Sequence, residues 1–179
     1  MSNNNENVLL SYPRSGNHLC RFFIELLSEL PTYGCKGSKT DVEINKNIFD
    51  EYVPFNTLTE FNKNECYVKY HNAPSNNTST KNLILIVRNP REVLLNHCDY
   101  KLNIKRRWDS YCEYFKNIDY YNNHKGKKLL LYYEDMLTNK KEFINELYDF
   151  LAINNAAKKE YTLSNIEKLY ALSSNGKNG

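Results

Sequence analysis

The sequence contains no apolar run that approaches the roughly 20 residues needed to span a membrane as a helix. Its first ten residues, MSNNNENVLL, lack the basic region and the long apolar region of a secretory signal peptide. We therefore expect a cytoplasmic protein that does not contact a membrane. The glycosylation sequons at Asn76 and Asn77 are accordingly not expected to be used.

Patterns for disulfides, metals and ordinary P-loop kinases are also missing. The five cysteines are widely spaced and form no C-x-x-C pair, so reduced and mostly buried thiols are expected. The four histidines form no H-x-x-x-H pair, and we expect no metal. The Walker A pattern G-x-x-x-x-G-K-[ST] does not occur, which argues against a P-loop kinase.

Size and charge narrow the class further. The chain has 179 residues, which fits one domain with one core, and its 41% hydrophobic and 25% charged residues are ordinary for a globular protein. The net charge of +3 is too small to favour a nucleic-acid partner but suits an anionic small ligand. We predict a single domain over residues 1–179, with disorder in residues 1–6 and flexibility in residues 173–179.

Short apolar segments alternate with amphipathic ones along the chain. Strands are predicted at 7–12, 66–71, 83–88 and 128–133, and helices at 17–30, 91–102, 106–121, 139–153 and 162–172. Residues 72–82 are predicted to form a loop, and no element is predicted in 32–64. The alternation predicts an α/β fold with a mostly parallel central sheet flanked by helices. Ligands of such sheets bind beyond the carboxyl ends of the strands.

The segment YPRSGNH, residues 12–18, joins the first predicted strand to the first predicted helix. The backbone N–H groups of residues 15–18 would lie at the helix N-terminus, where unpaired donors and the helix dipole favour an anion. Arg14 adds a charge, and Ser15 and Asn17 add side-chain donors, so this segment is a candidate phosphate or sulfate site. The alternative is an ordinary turn, in which Ser15 caps the helix and Arg14 faces solvent.

A candidate base follows the second predicted strand. His71 stands at the end of this strand, where an imidazole can take a proton from a hydroxyl or an amine. Lys69 lies two positions earlier and therefore points to the same side of the strand. The alternative is a histidine with a purely structural role.

Arg88 ends the most apolar strand and can contact a phosphate through two hydrogen bonds. Asn96, on the helix that follows, can supply another donor. Alternatively, Arg88 pairs with a nearby carboxylate such as Glu92. Tyr133 closes a later buried strand, where its ring either borders a nucleotide base or belongs to the core.

Taken in order, four segments resemble the PAPS-dependent sulfotransferases, where PAPS is 3′-phosphoadenosine 5′-phosphosulfate. These segments are YPRSG (12–16), KYH (69–71), IVRNPREV (86–93) and YYEDM (132–136). The resemblance implies the sulfotransferase fold, which is similar to that of P-loop NTPases. It also implies transfer of a sulfuryl group from PAPS to a hydroxyl or amine of a small-molecule or glycan acceptor, with release of PAP and without a metal.

The resemblance also implies a role for each matching position. Arg14 corresponds to the basic residue that contacts the 5′-phosphosulfate and stabilises the leaving oxygen. His71 corresponds to the general base, and Lys69 to a lysine that assists at the sulfuryl group. The remaining loop residues implied to bind the phosphosulfate are Ser15, Gly16, Asn17 and His18, the last two standing where the family often has Thr-Thr.

Three further positions are implied to hold the nucleotide. Arg88 corresponds to the arginine of the 3′-phosphate site, and Asn96 stands where the family usually has a serine. Tyr133 matches a tyrosine near the adenine.

The C-terminal segment departs from the family pattern R-K-G-x-x-G, which closes over the 3′-phosphate. Ser174 and Asn175 replace the Arg-Lys pair, while Gly176 keeps its place and Lys177 can supply the lost charge. The chain is also short for the family, and we expect the difference to lie in the acceptor-site loops.

Three alternatives remain open from the sequence. The altered C-terminal segment favours a homologue that binds PAP or PAPS with little or no catalysis. A nucleotide or small-molecule kinase on a related fold is a second alternative. The third is RNA binding through the basic run KRRW, residues 105–108, although such a run is more often a solvated helix face.

Overall fold

The computed structural model describes residues 5–33, 65–74, 79–97 and 104–175. In this part of the chain, five strands form one parallel sheet with the spatial order β2-β3-β1-β4-β5. The strands are β1 (Asn5–Ser11), β2 (Thr32–Tyr33), β3 (Tyr67–Tyr70), β4 (Ser79–Val87) and β5 (Lys127–Tyr132). The predicted α/β class with a central parallel sheet is confirmed. Because β2 has only two residues, the four longer strands make up the body of the sheet.

Helices cover both faces of this sheet. They are α1 (Asn17–Ser28), α2 (Pro90–His97), α3 (Ile104–Asn123), α4 (Tyr133–Thr138), α5 (Lys140–Leu151), α6 (Ala156–Ser164) and α7 (Ile166–Asn175). On one face, Leu9, Ile84 and Ile86 pack with residues of α1, α5 and α7. On the other face, Val8 and Leu85 pack with residues of α3. Burial on both faces explains why the central strands are continuously apolar.

The first residues of β4 are polar and did not indicate a strand in the sequence. Residues 79–82 were predicted to belong to a loop, but they extend β4, and Ser79 and Thr80 pair with Asn5 and Glu6 of β1. Backbone pairing, with a register shift between Glu6 and Asn7, stabilises these polar strand ends without apolar side chains. Asn5 and Glu6 therefore belong to β1, contrary to the predicted disorder of residues 1–6.

Two other element boundaries differ from the prediction. The region predicted as one helix, 162–172, contains the end of α6 and most of α7, which are separated at Asn165. Helix α7 continues to Asn175, so residues 173–175 are helical. The predicted helix 91–102 is described only to His97, and residues 34–64 lie outside the described residues.

The described cysteines agree with the prediction of reduced thiols. Cys20 and Cys66 are buried, Cys112 is half-buried, and none of these three described cysteines forms a disulfide. Burial raises the pKa of the Cys66 thiol to about 11 and also raises the pKa of Cys20. Cys35 and Cys98 lie outside the described residues. None of the described helices combines the length and the apolarity required to cross a bilayer.

Buried polar side chains connect α1 to β2. Arg21 donates to the Thr32 hydroxyl over 2.6 Å and to the Thr32 carbonyl over 3.1 Å. Glu25 accepts from the Thr32 N–H over 2.9 Å and also from the Thr32 hydroxyl. Both ionisable side chains are almost completely buried, so each depends on this network to offset its desolvation.

We expect Arg21→Met to lower the free energy of unfolding by about 3–5 kcal/mol, because it leaves the Glu25 carboxylate buried without its cationic neighbour. The double variant Arg21→Met/Glu25→Gln should be more stable than Arg21→Met, since the introduced amide is uncharged and its oxygen still accepts from Thr32. Urea unfolding of the three proteins measures this. A double variant that is less stable than Arg21→Met would contradict the account.

Candidate active site

The central position of β1 brings the predicted functional segments together. Strand β1 lies between β3 and β4, with Leu10 opposite Tyr70 and Ser11 opposite Ile86. All three strands are parallel, so their carboxyl ends lie at one edge of the sheet. Strands β2 and β3 lie on one side of β1, and β4 and β5 lie on the other. In α/β sheets, such a change of direction in the strand order creates a crevice for a ligand at the carboxyl ends of the strands.

The loop between β1 and α1 has two residues in the left-handed region. Arg14 has φ = 68° and Gly16 has φ = 90°, whereas Ser15 between them has a negative φ. Such alternation turns successive N–H groups towards one side and forms an anion-binding concavity. For an arginine, the left-handed conformation costs about 1–2 kcal/mol. Strain of this kind is concentrated at functional sites.

The N-terminus of α1 differs from the alternative in which Ser15 caps the helix. Gly16 occupies the N-cap position, and its carbonyl accepts from the N–H of Cys20 over 3.2 Å. The Ser15 N–H donates to the Tyr12 carbonyl over 3.2 Å, so this N–H is used within the turn. The unpaired donors expected at a helix N-terminus therefore begin at Gly16 and Asn17.

Two polar side chains of the loop are buried. Ser15 and Asn17 are 0% and 4% exposed, and Ser15 Oγ and Asn17 Oδ1 have no hydrogen-bond partner among the described residues. An unsatisfied buried polar group costs about 1–3 kcal/mol. An anion at the start of α1 would accept a hydrogen bond from the Ser15 hydroxyl, and from the Asn17 amide when its nitrogen faces the ligand. The loop residues thus fit a phosphate or sulfate group.

Arg88 follows β4 and contacts the loop directly. One terminal nitrogen of its guanidinium donates to the Arg14 carbonyl over 2.8 Å. The guanidinium also lies over the ring of Tyr133, 4.4 Å from the centroid. A guanidinium carries five N–H donors. Arg88 therefore keeps donors for an anion while it fixes the conformation of the strained Arg14.

Tyr133 is the first residue of α4, not the last residue of a strand as predicted. Its half-buried ring lies against Gly16, where an added Cβ atom would clash with Tyr133 Cδ2. Arg88 covers one face of the same ring. Tyr133 thus forms a wall of the loop, and its predicted place beside the adenine remains a prediction.

His71 lies directly after β3 and is half-buried. Its Nδ1 is 2.9 Å from the carbonyl oxygen of Ser11, the last residue of β1. Because a carbonyl oxygen only accepts, we infer that Nδ1 carries the proton in the neutral ring. Nε2 then holds the lone pair that a general base requires.

Lys69 precedes His71 by two residues and is 8% exposed. It pairs with Leu9 of β1, which packs against α1, so Lys69 lies on the α1 face of the sheet. His18 is exposed at the second position of α1, the side chain of Asn96 in α2 is outside the described part, and so are Gly176 and Lys177.

Two residues of α3 that the sequence did not single out contact this edge of the sheet. The Tyr114 hydroxyl donates to the Arg88 carbonyl over 2.6 Å, and Asn117 Nδ2 donates to the His71 carbonyl over 2.9 Å. A signal was present: Tyr114, Asn117 and Ile118 share one helical face, and a polar Asn117 within an apolar stripe suggests a specific partner.

Comparison with known proteins identifies the class of the chain. The sequence model of the sulfotransferase domain matches residues 5–177, so this protein belongs to the sulfotransferase domain family. No curated protein sequence matches the chain. Among the described residues, no three His, Cys, Asp or Glu side chains are arranged to hold a metal ion.

Solved structures agree with the family fold. A mouse sulfotransferase complexed with PAP has a TM-score of 0.59 and 16% identity, over 92% of this chain and 64% of that protein. Retinol dehydratase in complex with androsterone and PAP has a TM-score of 0.53 and 16% identity, over 90% of this chain and 65% of the other. Its complex with retinol and PAP gives 0.53 and 17%, over 93% and 65%. The chain thus spans slightly under two thirds of each protein.

We expect Gly16→Ala to destabilise the protein in two ways. The left-handed conformation costs alanine about 1–2 kcal/mol, and the contact with Tyr133 adds about 1–3 kcal/mol of overpacking. Thermal unfolding of Gly16→Ala, Tyr133→Ala and the double variant measures this. The two losses should be less than additive, because Tyr133→Ala removes the clash. Fully additive losses would contradict the contact.

Proposed function

We propose that the protein transfers a sulfuryl group from PAPS to a hydroxyl or amine of an acceptor molecule. The observation that carries this proposal is the arrangement around Ser11. Its carbonyl accepts from His71, and the chain beyond it enters the strained basic loop at Arg14. A base oriented for proton acceptance thus lies next to a loop suited to an anion.

The residues at this edge fit the two anionic groups of PAPS. The N–H groups of Gly16 and Asn17, the Ser15 hydroxyl and the Arg14 guanidinium are proposed to hold the 5′-phosphosulfate. Arg88 is proposed to hold the 3′-phosphate, because it keeps N–H donors beyond the one that contacts Arg14. Asn96, Tyr133, His18, Gly176 and Lys177 keep the binding roles implied by the family resemblance.

When bound, PAPS supplies an activated sulfuryl group, whose sulfur bonds to the acceptor as its bond to the PAP oxygen breaks. His71 Nε2 accepts the proton of the acceptor hydroxyl or amine, while the Ser11 carbonyl keeps the ring oriented and favours the charged imidazolium. Arg14, Lys69 and the loop N–H groups stabilise the negative charge on the transferring and leaving oxygens. This chemistry rests on positioning and electrostatics and needs no metal.

The acceptor class is a further part of the proposal. Retinol dehydratase binds androsterone and retinol in its solved complexes. Both are small, largely apolar alcohols, and this supports a small-molecule hydroxyl as the acceptor in preference to a glycan. The expected cytoplasmic location belongs to the same proposal.

A second candidate function is binding of PAP or PAPS without turnover. The sequence observation in its favour is Ser174-Asn175 in place of the family's Arg-Lys pair. This candidate shares the nucleotide site and differs only in the transfer step.

The nucleotide assignment predicts a preference for the 3′-phosphate. Arg88→Ala should weaken PAP binding about 10- to 100-fold, since it removes charged hydrogen bonds worth about 1.5–3 kcal/mol. Binding of adenosine 5′-phosphate, which lacks the 3′-phosphate, should change much less. Isothermal titration calorimetry measures both ligands. Arg91→Ala, an exposed neighbour, is the matched control. Equal losses for the two nucleotides would contradict the assignment of Arg88.

The transfer step predicts a specific role for His71. His71→Ala should lower transfer of labelled sulfate from PAPS by about 10²–10⁴-fold and leave PAP affinity nearly unchanged. His124→Ala is the matched control. His124 precedes β5 and therefore lies at the amino-terminal ends of the parallel strands, away from the candidate site. Full activity of His71→Ala would contradict the assignment of the base. Wild-type protein that binds PAP and transfers to no acceptor in a panel of small alcohols and amines would favour the second candidate.

A further inference from the structure

Helix α3 connects the two loops that flank the candidate site. Tyr114 and Asn117 lie one helical turn apart, and each donates a side-chain hydrogen bond to a backbone carbonyl. The acceptors are the carbonyls of Arg88 and His71, at 2.6 Å and 2.9 Å. Both side chains are buried, at 4% and 2% exposure. The two acceptors are the residues proposed to hold the 3′-phosphate and to act as the base.

The two loops are not neighbours in the sheet. His71 follows β3 and Arg88 follows β4, and β1 lies between these strands. Two strand spacings separate β3 and β4 by about 10 Å. A single helix face with donors at adjacent turns spans this distance and fixes both loops relative to β1.

The buried amide of Asn117 indicates that this residue does more than fill space in the core. The same face of α3 contributes Ile118 and Tyr121 to the apolar core on this side of the sheet. A leucine at position 117 would fill such a place without desolvating an amide. Asn117 Oδ1 has no partner among the described residues, so burying this amide also leaves one acceptor unsatisfied, which costs free energy. The bond to the His71 carbonyl is the contact that an apolar residue could not make.

Tyr114 also contacts the first loop. Its ring lies edge-on to the ring of Tyr12, with centroids 5.8 Å apart and an interplanar angle of 67°. Val93 of α2 completes this cluster. Tyr114 therefore packs against Tyr12, which follows β1, and its hydroxyl donates to the carbonyl of Arg88, which follows β4.

We propose that Tyr114 and Asn117 are positioning residues for sulfuryl transfer, Tyr114 through Arg88 and Asn117 through His71. This inference rests on the proposed function. Neither side chain is assigned to contact PAPS or the acceptor. Each sets the direction of a functional side chain by holding the carbonyl of the same residue, and errors of about 1 Å in such positions can cost 10²-fold in rate.

The two residues should have separable effects. Tyr114→Phe removes only the hydroxyl and should weaken PAP binding about tenfold, with adenosine 5′-phosphate binding nearly unchanged. Asn117→Leu should lower kcat roughly tenfold while the KM for PAPS and the affinity for PAP stay close to wild type. Calorimetry measures the nucleotide affinities, and sulfate transfer from PAPS measures kcat and KM. All measurements are made well below the lowest thermal unfolding midpoint among the variants.

Controls on the same helix isolate the effect of the bonds. Tyr111→Phe and Asn122→Leu change exposed residues of α3 and should leave binding and kcat unchanged. Asn117→Ser, which shortens the side chain, replaces Asn117→Leu if the latter does not fold.

Two results would overturn the inference while the proposed function stands. One is an equal loss of PAP and adenosine 5′-phosphate affinity in Tyr114→Phe. The other is wild-type kcat in the folded Asn117 variant. Wild-type protein that neither binds PAP nor transfers sulfate would overturn the proposed function, and this inference with it.

Discussion

Strand β1 lies between β3 and β4 in a parallel sheet, and the candidate site depends on this arrangement. Residues that are 57 positions apart along the chain, Arg14 and His71, follow neighbouring strands and reach the same edge. The apolar side chains of β1 and β4 are buried between helices on both faces, which fixes the strand register. The positions of the loops are therefore set by the core, while their conformations are set by local polar contacts.

Those local contacts form one connected set. Arg88 bonds to the Arg14 carbonyl and covers the ring of Tyr133, which lies against Gly16. Ser11 accepts from His71 on the other side of β1. The left-handed Arg14 is thus held by a residue that is itself proposed to bind the nucleotide. Such a loop is organised before the ligand arrives, so little binding energy is lost in ordering it.

Much of this arrangement could be predicted from the sequence, and the reasons are local. The apolar run at 83–88 and the helical spacing after Gly16 follow from burial, so the fold class and the order of the loops were accessible. Four short segments with a family resemblance then gave the candidate residues. The strand order brings the loops that carry these residues to the same ends of neighbouring strands.

The rest depends on contacts that a local pattern does not carry. Residues 79–82 are polar and form a strand because β1 pairs with them. The cap of α1 is Gly16 and not Ser15, because the Gly16 carbonyl accepts the first bond of the helix, from the N–H of Cys20. Tyr114 and Asn117 meet partners 26 and 46 positions away, and only the folded sheet brings these groups together.

The most direct test of the account is a crystal structure of the protein bound to PAP. We expect the 5′-phosphate within hydrogen-bond distance of the N–H groups of Gly16 and Asn17, and the 3′-phosphate in contact with the Arg88 guanidinium. His71 Nε2 should face the space beyond the 5′-phosphate, with Nδ1 still bonded to the Ser11 carbonyl. A nucleotide bound away from the carboxyl ends of β1 and β4, or a 3′-phosphate without a contact to Arg88, would contradict the account.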